Sequence, residues 1–363
     1  MNPAKAVLLL EDGARFEGLP FGATGQATGE TVFYTGVVGY QEILTSPSYR
    51  GTLAVITYPI IGSYGVNAED NESAAPQVGG LVIKEYSRTY SNFRATGALE
   101  DFLLEHHVVG IREVDTRALA VHLREQGEKR GIIASGDADE AALLARLRAA
   151  PSPFAADLLE GLPPEEPVAP AGSPRHKLAL LNLGVHRSLL AQLAQLGCAV
   201  EILPPTARAE AVLATDPEGV VLAGGPGDPR VPPYALAAAK GLLGKVPLFG
   251  VGLGHQLLAL ALGCKVERMP TGHRGVNHPV RHLPTRRCEI TVQHHSFVVD
   301  GESMPDDVET THVNLNDATV EGIRSRTLPA ASVQFHPTRD ETGQPHRLLT
   351  GFVEGRQHSV ERV

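Results

Sequence analysis

Pro247-Leu248-Phe249-Gly250-Val251-Gly252-Leu253-Gly254-His255-Gln256 is the stretch that decides the fold. An apolar run over residues 246–251 reads as a strand. A helical segment over residues 255–262 follows almost at once, and glycines flank the junction at 250 and 254. A strand that breaks into a helix through such a turn has the shape of a nucleophile elbow. Glycines there let strand and helix approach closely. The residue at the apex sits at the helix N-terminus, where the dipole favours a thiolate and backbone N–H groups can face an oxyanion. Here the apex is Gly252, which has no side chain to use that position.

The same rhythm extends outward. Residues 177–183 form a continuous apolar run. Residues 188–196 place Leu189, Leu190, Leu193 and Leu196 at helical spacing. Strands are expected at 199–203 and 219–223, and helices at 207–214 and 234–243. This alternation predicts an α/β domain, a mostly parallel sheet with helices on both faces. Ligands of such sheets gather at the carboxyl ends of the strands. Upstream, residues 151–174 hold Pro151, Pro153, Pro163, Pro164, Pro167, Pro170 and Pro174, with Glu165-Glu166 and Gly172-Ser173. That composition predicts a stiff, exposed linker. The expected domains are therefore residues 1–150, a linker over 151–174, and residues 175–363. In the first, strands are expected at 6–10, 30–34, 53–58 and 80–84. A helix over 116–126 is capped by Asp115 and ended by Gly127, and another spans 139–149. This is a mixed α+β, β-rich domain. The polar tail 340–363 has helix-like stretches with no assigned place.

Among 363 residues, 42% are hydrophobic and 20% charged, an ordinary globular mix. The formal net charge of -9 argues against nucleic acid or an anionic membrane as partner. No apolar stretch approaches the ~20 residues of a membrane span, and the run 6–10 is too short for a signal-peptide core. The three cysteines, Cys198, Cys264 and Cys288, make no disulfide framework, which suits a reducing cytoplasm. No Cys/His zinc spacing occurs. His273, His278, His294, His295 and His336 match no ligand signature, so no metal is expected.

Further motifs narrow the reading. Ala223-Gly224-Gly225-Pro226-Gly227-Asp228-Pro229 follows a strand; Gln293-His294-His295-Ser296-Phe297 and Ser332-Val333-Gln334-Phe335-His336-Pro337-Thr338 come later. Together with the elbow they resemble the class I glutamine amidotransferase domain. In the first half, Glu11-Asp12-Gly13, Gly22-Ala23-Thr24-Gly25, Gly39-Tyr40-Gln41-Glu42-Ile43-Leu44-Thr45, Pro47-Ser48-Tyr49, Thr57-Tyr58-Pro59, Ser91-Asn92-Phe93-Arg94 and Val114-Asp115-Thr116-Arg117 form a dense series. It is similar to the N-terminal domain of the carbamoyl phosphate synthetase small subunit. Gly254-His255-Gln256-Leu257-Leu258-Ala259 and Asn277-His278-Pro279-Val280 continue the resemblance, which covers roughly residues 5–340.

The resemblance implies a large-subunit partner that makes carbamoyl phosphate from bicarbonate, ATP and nitrogen, for pyrimidines and arginine. ATP and Mg belong to that partner, and no cofactor is expected in this chain. It also implies a triad of cysteine nucleophile, histidine base and orienting glutamate. Position by position, Gly252 replaces the cysteine, His336 matches the base and Thr338 replaces the glutamate. Ser48, Gly225, Gly227, Leu253, Gln256 and Phe297 match glutamine-contacting positions. His294 stands for an asparagine and Ser296 for a glycine in that pocket. No thioester can form on a glycine, and Thr338 has no charge with which to stabilise an imidazolium. The leading expectation is a small subunit that no longer hydrolyses glutamine and serves as structural or regulatory partner of an ammonia-using large subunit. One alternative is a non-catalytic glutamine-binding sensor or scaffold. Another is an active glutaminase with an unusual nucleophile, either Cys198, Cys264, Cys288 or a water activated by His336. The sequence assigns His255 to packing of the elbow helix, Asp228 to bracing its loop, and Arg286-Arg287 to a solvated turn.

Overall fold

The computed structural model describes residues 5–355. The start of the chain before Lys5 and the last part of the 340–363 tail lie outside that range. The chain divides into two compact units: residues 1–158 with 270–274, and residues 159–269 with 275–363. Among the described residues, no helix is long and apolar enough to cross a membrane.

The first unit is a closed barrel. Its strands follow the order Ala6–Leu10, Arg15–Gly22, Val109–Arg112, Gly80–Val82, Thr52–Ile56, Gln26–Tyr34 and Lys129–Ser135, the last pairing back to the first. Closure leaves no edge for another chain to pair with. Alternation along Ala6–Leu10 explains its unbroken apolar reading. Leu8 and Leu10 join one core with Leu53, Val55 and Ile111, while Val7 and Leu9 meet Leu143 and Leu147 of the helix Glu140–Ala149. Both long helices begin as the sequence indicates. Asp115 accepts a hydrogen bond from the Ala118 N–H at 2.9 Å, and Asp139 from that of Ala142 at 3.1 Å. Strands 15–22, 109–112 and 129–135 were not assigned from sequence. Arg15–Gly22 is mostly exposed or half-buried and interrupted by Gly18 and Pro20, while Val109–Arg112 and Lys129–Ser135 are short runs buried at successive positions, so none shows a clear period of two.

Residues 270–274 join this unit through a buried ion pair. Arg274 and Glu128 have side chains 3% and 1% exposed, and the Gly272 N–H donates to the same Glu128 carboxylate at 2.9 Å. The Arg274 guanidinium also lies 6.0 Å from the centre of the Tyr49 ring.

The proline-rich segment is not exposed along its whole length, contrary to the expectation for a linker. Leu159 is buried in the core of the second unit, and Glu165 is buried with its carboxylate 2.9 Å from Arg187. An apolar anchor and a charge partner supply what burial of each requires.

The second unit is built on a nine-stranded sheet. Five strands are parallel, in the order Cys198–Leu203, His176–Asn182, Gly219–Ala223, Leu248–Val251 and Ala330–Val333. Odd and even positions serve opposite faces. Ala179, Leu181, Val220, Leu222 and Leu248 pack with the helices Ala209–Leu213, Pro233–Leu242 and Leu253–Ala261. Leu178, Leu180, Val221, Phe249 and Val251 pack with the helices Arg187–Gln195 and Arg347–Val353. The other four strands, Val320–Ser325, Cys288–Val299, Val266–His282 and Val308–Asn314, extend the sheet antiparallel. The helix Arg347–Val353 is fastened to this extension by Glu289, whose carboxylate meets His346 at 3.1 Å and Arg347 at 3.3 Å. Burial works to raise the Glu289 pKa. The His346 hydrogen bond and the His346 and Arg347 charges outweigh it and bring the value down to about 2.

Two stability predictions follow from these ion pairs. Arg274→Met strands a buried carboxylate and should cost about 3–5 kcal/mol in urea unfolding, whereas Arg274→Met with Glu128→Leu should recover most of that loss. A double variant no more stable than the single would refute the pairing. Glu289 has a depressed pKa, so its contribution is present above the unfolded value near 4.5 and is lost as pH falls toward about 2. Glu289→Gln should therefore flatten the wild-type fall in stability across that window.

Candidate active site

Close packing builds the elbow. A Cβ on Gly254 would stand 1.9 Å from the Leu222 carbonyl oxygen, and one on Gly250 would stand 2.6 Å from the Gly254 carbonyl oxygen. Any side chain at either position forces the strand and helix apart. Gly252 lies between them at φ 60 and ψ -117, a conformation that side-chain-bearing residues rarely adopt. Space is not the constraint there, because a Cβ on Gly252 would meet nothing closer than Gly224 at 3.8 Å. The Gly252 N–H donates to the Val333 carbonyl at 3.1 Å, and the Gly224 N–H to the Val251 carbonyl at 3.1 Å, so both neighbouring strands hold the turn. Leu253 opens the helix, where N–H groups lack a partner one turn earlier.

The loops beside the elbow are shaped by glycine and by one asparagine. Gly224 has φ 73, and a Cβ on it would fall 1.8 Å from the Gly184 carbonyl oxygen. Asn182 ends its strand by accepting hydrogen bonds from the Gly184 and Val185 N–H groups, each at 3.0 Å. Gly225, at φ 123, packs against Leu253. Gly227 also has positive φ, and Asp228 braces the loop by pairing with Arg230 at 2.6 Å. That guanidinium lies 5.8 Å from the centre of the Phe297 ring. Gln256 is buried, and its amide donates to the Phe297 carbonyl and to Gln334 Oε1, each at 3.0 Å. Ser296 is buried beside Phe297 in the chain. The structure thus brings Gly225, Leu253, Gln256 and Phe297 together around the elbow. Ser48 belongs to the first unit, in the short helix Pro47–Tyr49, where its N–H donates to Ser46 Oγ at 3.3 Å.

His336 lies just past the strand Ala330–Val333, and its N–H donates to the Val292 carbonyl at 2.9 Å. Its ring stacks on His186, with centroids 4.2 Å apart and planes 4° from parallel. His294 completes the group at 5.1 Å from His336 and 6.1 Å from His186. Burial pushes the His186 pKa down to about 4, so this ring is neutral at neutral pH. The sequence reading missed His186 because the contact is made across the sheet edge and no local spacing reveals it. Parallel stacked rings point their nitrogen lone pairs side by side, so His186 and His336 do not converge on one metal ion as ligands must.

Thr338 is exposed. It shares the wall of a cavity of about 300 Å³ with His336, Glu289, His346 and Arg347. Two carboxylates belong to that wall: Glu289 is engaged by His346 and Arg347, and Asp340 accepts hydrogen bonds from Thr342 and the Gln344 N–H. The remaining candidates have structural surroundings. His255 is buried, its Nδ1 lies 2.8 Å from Ser332 Oγ, and burial pushes its pKa down to about 3. Cys198 and Cys264 are buried, and burial pushes each thiol up to about 11, away from thiolate character. Cys288 is exposed at the start of the strand Cys288–Val299. Arg286 sits in a turn at φ 59.

Comparison with known proteins fits this geometry. Residues 8–133 match the family described as carbamoyl-phosphate synthase small chain, CPSase domain, and residues 179–354 match glutamine amidotransferase class-I. The chain is 45% identical to the carbamoyl phosphate synthase small chain of Syntrophotalea carbinolica over 92% of each chain. It is 45% identical to that of Symbiobacterium thermophilum, over 94% of this chain and 95% of the relative. For the Chlorobaculum tepidum small chain the identity is 42% over 98% of both. With both halves matched in order and relatives aligned along nearly the whole length, the chain belongs to the carbamoyl phosphate synthase small chain family.

Proposed function

We propose that this chain is a carbamoyl phosphate synthase small subunit that has lost glutamine hydrolysis and acts as structural or regulatory partner of a large subunit supplied with free ammonia. The observation that carries this reading is Gly252, an elbow apex without a side chain. Attack on an amide needs a nucleophile positioned against an oxyanion site, and members of such a constellation act as a unit. The base position keeps His336, but position 338 offers a threonine in place of a carboxylate. Of the alternative cysteines, Cys198 and Cys264 are buried with raised pKa values, and Cys288 stands exposed at the start of its strand. In this reading the chain holds no cofactor of its own. ATP and Mg act in the large subunit, and the complex works in the cytoplasm.

The decisive measurement is carbamoyl phosphate formation by the chain reconstituted with its large partner. Ammonium should support turnover and glutamine should not. Glutamine use comparable to ammonium use would overturn the reading. A second prediction concerns the elbow itself. Gly252→Cys should fold, because a Cβ there meets only ordinary contacts. It should lose about 1–3 kcal/mol through its positive φ. Alone it should release no ammonia from glutamine. Combined with Thr338→Glu, His294→Asn and Ser296→Gly, it should release ammonia from glutamine at about 10²-fold or more above the enzyme-free background. Full hydrolysis by Gly252→Cys alone would show that the other three positions had not been lost to chemistry.

A further inference from the structure

The first unit holds a phenyl ring out in water on a loop whose backbone is firmly tied. Phe93 is 98% exposed. Around it, Asn92 Oδ1 accepts from the Arg94 N–H at 3.0 Å, and the Asn92 carbonyl accepts from the Ala95 N–H at 3.0 Å. The Ser91 N–H donates to the Ser63 carbonyl at 3.0 Å, and the Thr96 N–H to the Val66 carbonyl at 2.8 Å. The Arg94 guanidinium meets Asp70 at 2.5 Å and Glu69 at 3.0 Å. One exposed apolar residue is ordinary, but Val37, Val38, Tyr58, Ile60 and Tyr90 are exposed with it. Their segments are joined to one another. The Tyr34 hydroxyl donates to the Val38 carbonyl at 2.9 Å, and the Tyr34 carbonyl accepts from the Thr57 N–H at 3.1 Å. Ile60 pairs with Glu85, the Gly39 N–H donates to the Tyr64 hydroxyl at 2.9 Å, and a Cβ on Gly65 would stand 3.0 Å from the Tyr90 ring. Clustered exposure of this kind, with a polar rim, marks an interaction surface.

Charge on the rim selects the occupant. Arg94 stands among Glu69 and Asp70, and Glu42 feels Asp70 and Glu72 as well as Arg94. Burial, and then the negative charges of Asp70 and Glu72, push the Glu42 pKa up to about 7. This side of the patch is therefore crowded with carboxyl groups. A second copy docked about a two-fold axis would set the acidic rim against itself, and like charges face to face disfavour such a contact. Anionic lipid and nucleic acid are repelled for the same reason. What fits is a different protein, with an apolar socket edged by lysine and arginine.

Resting on the large-subunit partnership proposed above, and not on the loss of hydrolysis, we infer that Phe93 is the anchor with which the first unit docks on the large synthetase subunit, its ring entering an apolar socket with a basic edge. Val37, Ile60 and Tyr90 close around the ring and exclude water, as the surroundings of an anchor do. The loop is set before binding, so little ordering entropy opposes the contact. Glu69 and its neighbours steer the approach.

The test measures association and dissociation of the full chain with the separately purified large subunit by surface plasmon resonance. Phe93→Ala should weaken Kd by about thirtyfold or more, mainly through faster dissociation. Thermal unfolding of the isolated variant should match wild type, because the ring is exposed before docking. Glu69→Lys should slow association severalfold and reduce its dependence on salt. An unchanged Kd in Phe93→Ala overturns the inference. So does a wild-type chain that sediments as a dimer and becomes a monomer in Phe93→Ala while its affinity for the large subunit holds, since the patch would then belong to a second copy. Failure of the wild-type chain to bind the large subunit at all would remove the partnership and this inference with it. Turnover of glutamine by the wild-type complex would remove only the lost-hydrolysis reading and leave the docking site standing.

Discussion

Everything in the second unit depends on how closely the helix Leu253–Ala261 can approach the strands Gly219–Ala223 and Leu248–Val251. The Gly254 backbone presses against the Leu222 carbonyl so tightly that a single carbon added there would stand at 1.9 Å. That approach brings Leu253, Leu257 and Leu258 into the same core as Leu222, Val220 and Leu248. It also fixes the turn between strand and helix, because a chain passing from one to the other over so short a span must bend through positive φ at Gly252. The loops at 182–186 and 223–228 then follow, each shaped to fit against the elbow or against the other. The pocket residues are placed by this packing, and Leu253 also helps to build it.

This hierarchy explains what was legible in the sequence. The elbow glycines, the βα rhythm after residue 175, the Asp115 cap and the helix beginning near Asp139 are local signals, since each is decided by neighbours within a few residues. The antiparallel extension was not legible. Its strand Val266–His282 is long and polar, and it contains Pro270, Gly272, Gly275 and Pro279, so it carries no clean period of two. Barrel closure in the first unit was equally hidden, because it depends on Lys129–Ser135 pairing with strands more than a hundred residues earlier. The proline-rich segment misled for a related reason. Composition speaks for its backbone, but Leu159 and Glu165 are placed by a core and an arginine from elsewhere. Within the site, the family resemblance pointed to His336 and Thr338, while His186 could be found only by tracing which strand ends lie at one edge.

The surroundings of His336 show what the loss of one carboxylate does. A triad histidine is oriented by a charged acceptor that also stabilises it when protonated. Position 338 is an exposed threonine, and of the two carboxylates on the same cavity wall, Glu289 already meets His346 and Arg347 while Asp340 accepts from Thr342 and Gln344. The His336 ring stacks on His186, whose ring is held neutral by burial. A neutral ring can fix orientation but cannot stabilise an imidazolium as a carboxylate does.

The elbow shows the same separation of form from chemistry, and it explains why glycine suits the apex. A side-chain-bearing residue at φ 60 stores about 1–3 kcal/mol of backbone strain. Such strain persists only where the surroundings over-determine the conformation, and these surroundings do. Gly250 and Gly254 fix the approach, and the Gly252 N–H is held by Val333. The turn is therefore imposed by packing whether or not a nucleophile stands on it. A side chain on this turn would carry that strain. Glycine occupies the same turn without it, at a position that Gly250, Gly254 and Val333 fix from three sides.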